Sequence, residues 1–402
     1  MSLATRGYFD DSIHFSKEED TVEDGVRTIS KANLKQLKYP RWAPTWDSKQ
    51  ELAFSNPKPY THTDRGYFAD PSFDSLFKGT GATKTRVTPK LGLVVEGLQL
   101  SKLTDKQKDD LALLIEQNGV VAFRKQDFKH LSFDDLKKWG RYYGPLHIHP
   151  TSGAPRGEYE FHLTFRRGDP GEQERLLARR LNNISYHSDV SYENQPPGLT
   201  FLTMLQTGAG GDTQFVDMIE AYERLSPTVQ NFIDKLQVLH TSKLQADNSK
   251  REGGITRKVA IDSIHPLVRY HPVLKKKALF LNSSFTTRVL GLKDEESDFL
   301  LNFLISHTET LLDAHIRPSW DEDTVVAWDN RRLIHTATLD WESNEIRTSF
   351  RLTPLAERPI RSEKEFNAWT PEKEEENIKK TEELLALTPA EYYEKFYKNY
   401  QY

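Results

Sequence analysis

His187 and Asp189 stand two positions apart in the stretch ISYHSDVSY, and His335 follows far downstream in WDNRRLIHTA. Two imidazoles and one carboxylate take one face of a first-row metal and leave three coordination positions open, which is the ligand set of oxygen-activating mononuclear Fe(II). The spacing has a physical basis. Residues i and i+2 of a strand project from one face, so a strand over residues 182–192 would offer His187 and Asp189 to one ion, with the third ligand arriving from a distant strand. Two basic residues follow closely. Arg347 and Arg351 lie four apart in RTSFR, a predicted strand, and would share a face with Cα atoms roughly 13 Å apart at about 3.3 Å per residue. Guanidinium groups turned into an interior are costly unless each meets an anion, whether a carboxylate of the chain or a bound ligand.

Composition narrows the chemistry. The 402 residues contain no cysteine, which excludes disulfides, thiolate metal sites, iron–sulfur clusters and cysteine nucleophiles, so a metal must sit on histidine and carboxylate. A formal net charge of −4 opposes general affinity for nucleic acid. No leader pattern and no run of about 18 apolar residues is present, so a soluble cytoplasmic protein that does not enter membranes is expected.

The elements that must position these side chains are mostly short strands. Residues 1–83 are polar, proline-rich and dotted with aromatics, and read as an N-terminal arm. The body is expected over 84–360 and a helical tail over 361–402. Thr104 and Gln107 form a capping box that starts a helix ending at Gly119, VVAFR (120–124) is a strand, and Ser132 opens a second helix ending at Gly144. From residue 200 onward TFLTML, DTQFVD, VLHTS, HPLVRYHP, ALFLNSS, TVVAWD and RTSFRLT read as strands. Helices are expected over 218–236 and 293–307. Many strands with few crossover helices predict a mainly β chain with flanking helices (α+β), built as a double-stranded β-helix, the jelly-roll or cupin-like barrel.

Five motifs in order carry a resemblance: HSDV, GGDT (210–213), FTTR (285–288), WDNRRLIH (328–335) and RTSFR. Their order and approximate spacing resemble the taurine dioxygenase family from about residue 85 to 358. LHIHP ahead of them resembles the family too, and HPLVRYHPVLKKKALFLN is similar to its fungal sulfonate/2-oxoglutarate dioxygenases. The resemblance implies Fe(II) held by His187, Asp189 and His335, with 2-oxoglutarate and O2 as co-substrates and ascorbate as a candidate activator. It implies that Arg347 and Thr213 hold the far carboxylate of 2-oxoglutarate. Arg351, His149 and the backbone N–H of Val190 would hold the sulfonate, Phe285 would form an apolar wall and Asn183 a polar contact. The implied reaction hydroxylates the carbon next to sulfur in taurine, isethionate or a similar sulfonate, and releases sulfite and an aldehyde with succinate and CO2, for sulfur assimilation. Asp189, being a carboxylate, favours hydroxylation over halogenation. Ser152 stands where the family has an aromatic hydroxyl on the amine of taurine, which implies a sulfonate other than a strict aminosulfonate.

Two other readings stay open from the residues: a dioxygenase of the same superfamily acting on an alkyl sulfate ester or another small anion, and a non-catalytic cupin-like binding protein. Several features carry plainer expectations. His265 and His271 are packing or turn histidines, Lys275, Lys276 and Lys277 mark a solvated turn, and GAGGDT is a turn rather than a phosphate loop. Residues 168–180 are either a lid over the metal or an ordinary solvated helix. The aromatic arm suggests docking across a homo-oligomer, a dimer or higher.

Overall fold

A computed structural model describes residues 20–167, 170–178, 185–319, 321–341 and 345–398. Its centre is a seven-stranded sheet in the order Thr83–Arg86, Leu93–Glu96, Val120–Phe123, Val325–Asp329, Leu199–Gln206, Arg347–Leu352, His162–Arg166. All neighbours are antiparallel except Leu93–Glu96 beside Val120–Phe123. Facing it is a smaller antiparallel sheet of His315–Ile316, Thr213–Asp217 and Leu333–Ala337. Leu202, Met204, Val326 and Trp328 of the large sheet pack on Phe215 and Leu333 of the small one, so apolar side chains of two inner faces bind the layers into a jelly roll. Among the described residues no ladder closes the layers into a complete barrel.

The strand Leu199–Gln206 is buried along its whole length because it serves two cores. Leu202 and Met204 face the small sheet, while Leu199, Phe201 and Leu205 join an outer core against the helices Asp105–Asn118 and Phe133–Gly140. The first helix starts at Thr104 with its capping box formed and stops at Gly119, whose φ of 72° suits glycine. The second stops at Gly140, one turn before the expected Gly144. The segment before residue 83 reaches this outer core: Trp42 is buried and stacks on Phe350 with centroids 4.0 Å apart. The tail forms the helices Glu363–Ala368, Pro371–Leu385 and Pro389–Phe396.

Other boundaries shift for local reasons. The helix expected over 218–236 is two, Met218–Glu223 and Pro227–Ile233, because Ser226 caps a fresh start with Pro227 in its first turn. The helix expected over 293–307 is Asp294–Glu309. HPLVRYHP breaks at Leu267 into Asp262–Pro266 and Val268–His271, which join different sheets. Lys276 and Lys277 belong to the strand Lys276–Leu279 and pair with Glu223 and Asp234; Lys275 alone keeps the turn, at φ 56°.

Candidate active site

His335, on Leu333–Ala337, pairs with His187 through one isolated antiparallel bridge, in which each backbone N–H donates to the other's carbonyl, at 2.9 and 2.8 Å. The strand expected over 182–192 is thus a single bridge residue among those described, followed by a turn. That turn is closed by Ser191 N–H on Ser188 O at 3.3 Å and Glu193 N–H on Val190 O at 2.9 Å. Val190 takes a left-handed φ of 39°, a conformation that costs about 1–3 kcal/mol and needs its surroundings to hold it. The turn still delivers both side chains. The candidate ligand atoms of His187, Asp189 and His335 all lie within 4.8 Å of one another. Asp189 Oδ1 is 3.9 Å from His187 Nε2 and 3.6 Å from His335 Nε2. Both ring nitrogens of His335 are buried without a hydrogen-bond partner among the described residues. Burial, then nearby His187, Arg351 and His162, holds its pKa well below the ordinary value, so the ring is neutral. Neutral imidazole beside carboxylate is the donor set a divalent metal takes, and an orphaned buried nitrogen is what a metal would satisfy.

A second ring of contacts orients these groups. Asn330 Oδ1 accepts from Asp189 N–H at 3.1 Å and from the Trp328 indole at 3.0 Å, and its amide donates to Thr200 Oγ1 at 2.8 Å. The Thr200 hydroxyl in turn donates to Asp189 Oδ2 at 3.0 Å. His187 Nδ1 sits 3.1 Å from Ser185 O, which leaves Nε2 for the ligand cluster. The WDNRR turn is itself anchored by Arg331, buried among Asp64, Glu116, Asp329 and Glu357. His271 completes this network on Asp329 at 2.7 Å, and His265 meets Glu193 O at 3.1 Å, so both are packing histidines.

One cavity of about 1090 Å³, open mouth included, holds the ligand cluster, both arginines, Thr213, His149, Val190 and Phe285. Arg347 and Arg351 face it from odd positions of their strand while Phe350 and Leu352 face the outer core. The bulge beside Ser349 falls on the neighbouring strand, skipping Leu205, so the arginines keep their phase. Their partners differ. Arg351 donates to Asp189 Oδ1 at 2.7 Å. Arg347 has no carboxylate within ion-pair distance among the described residues, and its Nε is buried and unpartnered. Burial lowers its pKa to about 10, Asp212 opposing and Arg351 adding to the shift.

His149 is buried, with Nδ1 accepting from the backbone N–H groups of Thr151 at 3.3 Å and Ser152 at 3.0 Å. This fixes the hydrogen on Nε2, and burial keeps the ring neutral. Ser152 therefore orients His149 through its backbone. Phe285 packs on Val190 and Tyr192 as an apolar wall. Asn183 lies outside the described residues, as do 168–169 and 179–182. Between them the helix Pro170–Leu177 covers one side of the cavity through Leu176, which packs with Leu339 and Trp341. GAGGDT is a turn: Gly210 has φ 80°, and a Cβ there would lie 2.5 Å from Asp340 O. The structure also places His162, Thr164, Arg166 and Gln245 on the cavity, none of which belongs to a motif visible in the sequence.

Residues 83–353 match the family described as taurine catabolism dioxygenase TauD, TfdA family. An alpha-ketoglutarate-dependent sulfonate dioxygenase of Saccharomyces cerevisiae is 44% identical over 370 residues, 90% of this chain and 89% of that relative. An alpha-ketoglutarate-dependent dioxygenase of Penicillium expansum is 38% identical over 331 residues, 81% of this chain and 91% of that one. A taurine dioxygenase of Burkholderia xenovorans shares the fold at a TM-score of 0.56 and 24% identity, over 71% of this chain and 92% of that chain.

Proposed function

The chain belongs to the TauD, TfdA family and is a dioxygenase dependent on Fe(II) and 2-oxoglutarate (alpha-ketoglutarate), and from that premise we propose that its substrate is an organic sulfonate. The carbon next to sulfur is hydroxylated and sulfite and an aldehyde leave, with succinate and CO2 as co-products, in the service of sulfur assimilation. One observation carries the reading: two arginines of one strand face the cavity that holds the ligand cluster, and one of them, Arg347, meets no carboxylate within ion-pair distance among the described residues. A buried cation without a counter-ion calls for an anionic ligand.

In this reading His187, Asp189 and His335 hold Fe(II), which with 2-oxoglutarate supplies the oxidising power drawn from O2. Arg347 takes the far carboxylate of 2-oxoglutarate in a bidentate fork with the Thr213 hydroxyl beside it. Arg351, His149 Nε2–H and the Val190 N–H take the substrate anion, and Phe285 excludes water from the reacting carbon. Binding of the anion within reach of Arg351, itself bonded to Asp189, fixes which C–H bond lies near the metal, and a displacement of about 1 Å could cost roughly 100-fold in rate.

No aromatic hydroxyl stands at Ser152, which is buried, off the cavity lining and bonded to His149 through its backbone N–H, so taurine should hold no advantage over isethionate. Ascorbate as activator, a cytoplasmic site of action and a homo-oligomer belong to the same proposal; exposed Tyr67 and Phe68 support the last. Product analysis across sulfonates and alkyl sulfate esters tests the substrate class. Sulfite from sulfonates supports it, and sulfate from esters with no sulfite from any sulfonate moves the assignment to the ester.

A further inference from the structure

We propose that His162 is a further substrate-binding residue, a third donor that completes with Arg351 and His149 a seat for the three oxygens of a sulfonate; this rests on the proposed function above. His162 opens the strand His162–Arg166 and is the direct cross-strand partner of Arg351, so the two side chains leave the sheet on the same face. That face is the cavity, which both line. The next rung, Thr164 opposite Ser349, is joined hydroxyl to hydroxyl and fixes the register. On its other side the His162 ring lies 4.3 Å from that of His149, centroid to centroid, at 44°. The three side chains therefore come from two adjacent strands and the loop beside them and meet at one place.

The His162 Nε2 atom is buried and has no hydrogen-bond partner among the described residues. A buried polar atom left unsatisfied is uncommon and calls for a ligand or a water. The ring is neutral, since burial and then the nearby Arg351, with smaller contributions from His147, His187 and Arg257, hold its pKa well below the ordinary value. In the tautomer with hydrogen on Nε2 it donates one bond and adds no charge. Arg351 presents a planar fork suited to two oxygens, and a tetrahedral sulfonate head has a third. Neutral donors beside the fork distinguish that head from a planar carboxylate, which has only two oxygens to give. His162 thus deepens the anion site by setting the head group it selects.

The test uses the full-length enzyme and three variants, His162→Gln, His162→Asn and His162→Phe. Glutamine places an N–H near the Nε2 position, asparagine places it near Nδ1, and phenylalanine removes it. Isethionate is titrated anaerobically into the Fe(II)·2-oxoglutarate complex, following its charge-transfer absorbance, and KM and kcat are measured aerobically. The expected result is a rise of about 10- to 100-fold in Kd and KM for isethionate in the asparagine and phenylalanine variants, with glutamine within about threefold of wild type. Affinity for 2-oxoglutarate stays within about threefold in all three. Unchanged isethionate affinity, or equal loss in the glutamine and asparagine variants, would overturn the inference. Failure of the wild type to release sulfite from isethionate or any other sulfonate would instead overturn the sulfonate reading, so the two failures are distinct.

Discussion

At the scale of residues, Arg347 and Arg351 are alike in type, strand and face, yet unlike in their partners. Arg351 already has Asp189, so a ligand there adds to an existing bond; Arg347 has no carboxylate partner among the described residues. Truncating one member of a desolvated charge pair costs about 2–5 kcal/mol. Arg347→Ala should therefore raise the 2-oxoglutarate KM by about 30-fold or more, while Arg351→Ala should raise the sulfonate KM similarly and leave 2-oxoglutarate within about threefold. Separate titrations of the two substrates check this, and equal damage to both affinities in either variant would contradict the division. His187→Ala and Asp189→Ala should abolish turnover with loss of bound iron, measured by metal content after desalting. Alternation alone placed the arginines together, because a strand has a fixed period of two. It could not tell which of them meets a protein carboxylate, since Asp189 reaches Arg351 through the fold.

At the scale of elements, the site depends on two irregular pieces, the turn after His187 and the WDNRR turn, tied together by Asn330. Asn330→Ala removes the acceptor for Asp189 N–H and the donor to Thr200, and loss of such outer contacts typically weakens metal binding about 10- to 100-fold. Iron titration against wild type would show it; unaltered affinity would mean that the ligands hold their own orientation. Here the sequence was partly legible. The capping box at Thr104, the arginine strand and the ordered motifs could be read from local pattern. The bridge at His187 could not, because a single paired residue has no periodicity. The strand His162–Arg166 alternates over only five residues and is held by pairing with a strand far along the chain. The helix Lys243–Arg251, KLQADNSKR, has little apolar repeat, so Gln245 on the cavity had no signal.

At the scale of the whole molecule, the segment before the body is part of its packing. Trp42→Ala should empty the space stacked on Phe350 and lower unfolding free energy by about 3–5 kcal/mol, measured by denaturant titration; a change under about 1 kcal/mol would show that the segment merely rests on the surface. Buried titratable groups set the acid limit. His149, His162 and His265 are held well below the ordinary histidine value by burial, and His240 is held down to about 3. The unfolded chain therefore binds protons first, so their contribution is full above about pH 6.5 and is lost as pH falls below it. Asp64 and Glu193, lowered to about 2, lose their contribution only below about pH 4. Thermal midpoints should thus begin to fall near pH 6.5, and a midpoint flat down to pH 4.5 would contradict the histidine account. The most direct test of the central claim is aerobic turnover of an organic sulfonate with Fe(II) and 2-oxoglutarate, counting succinate and sulfite in one reaction. Equal amounts of the two, absent without metal, are the predicted result; succinate formed with no sulfite from any sulfonate would contradict it.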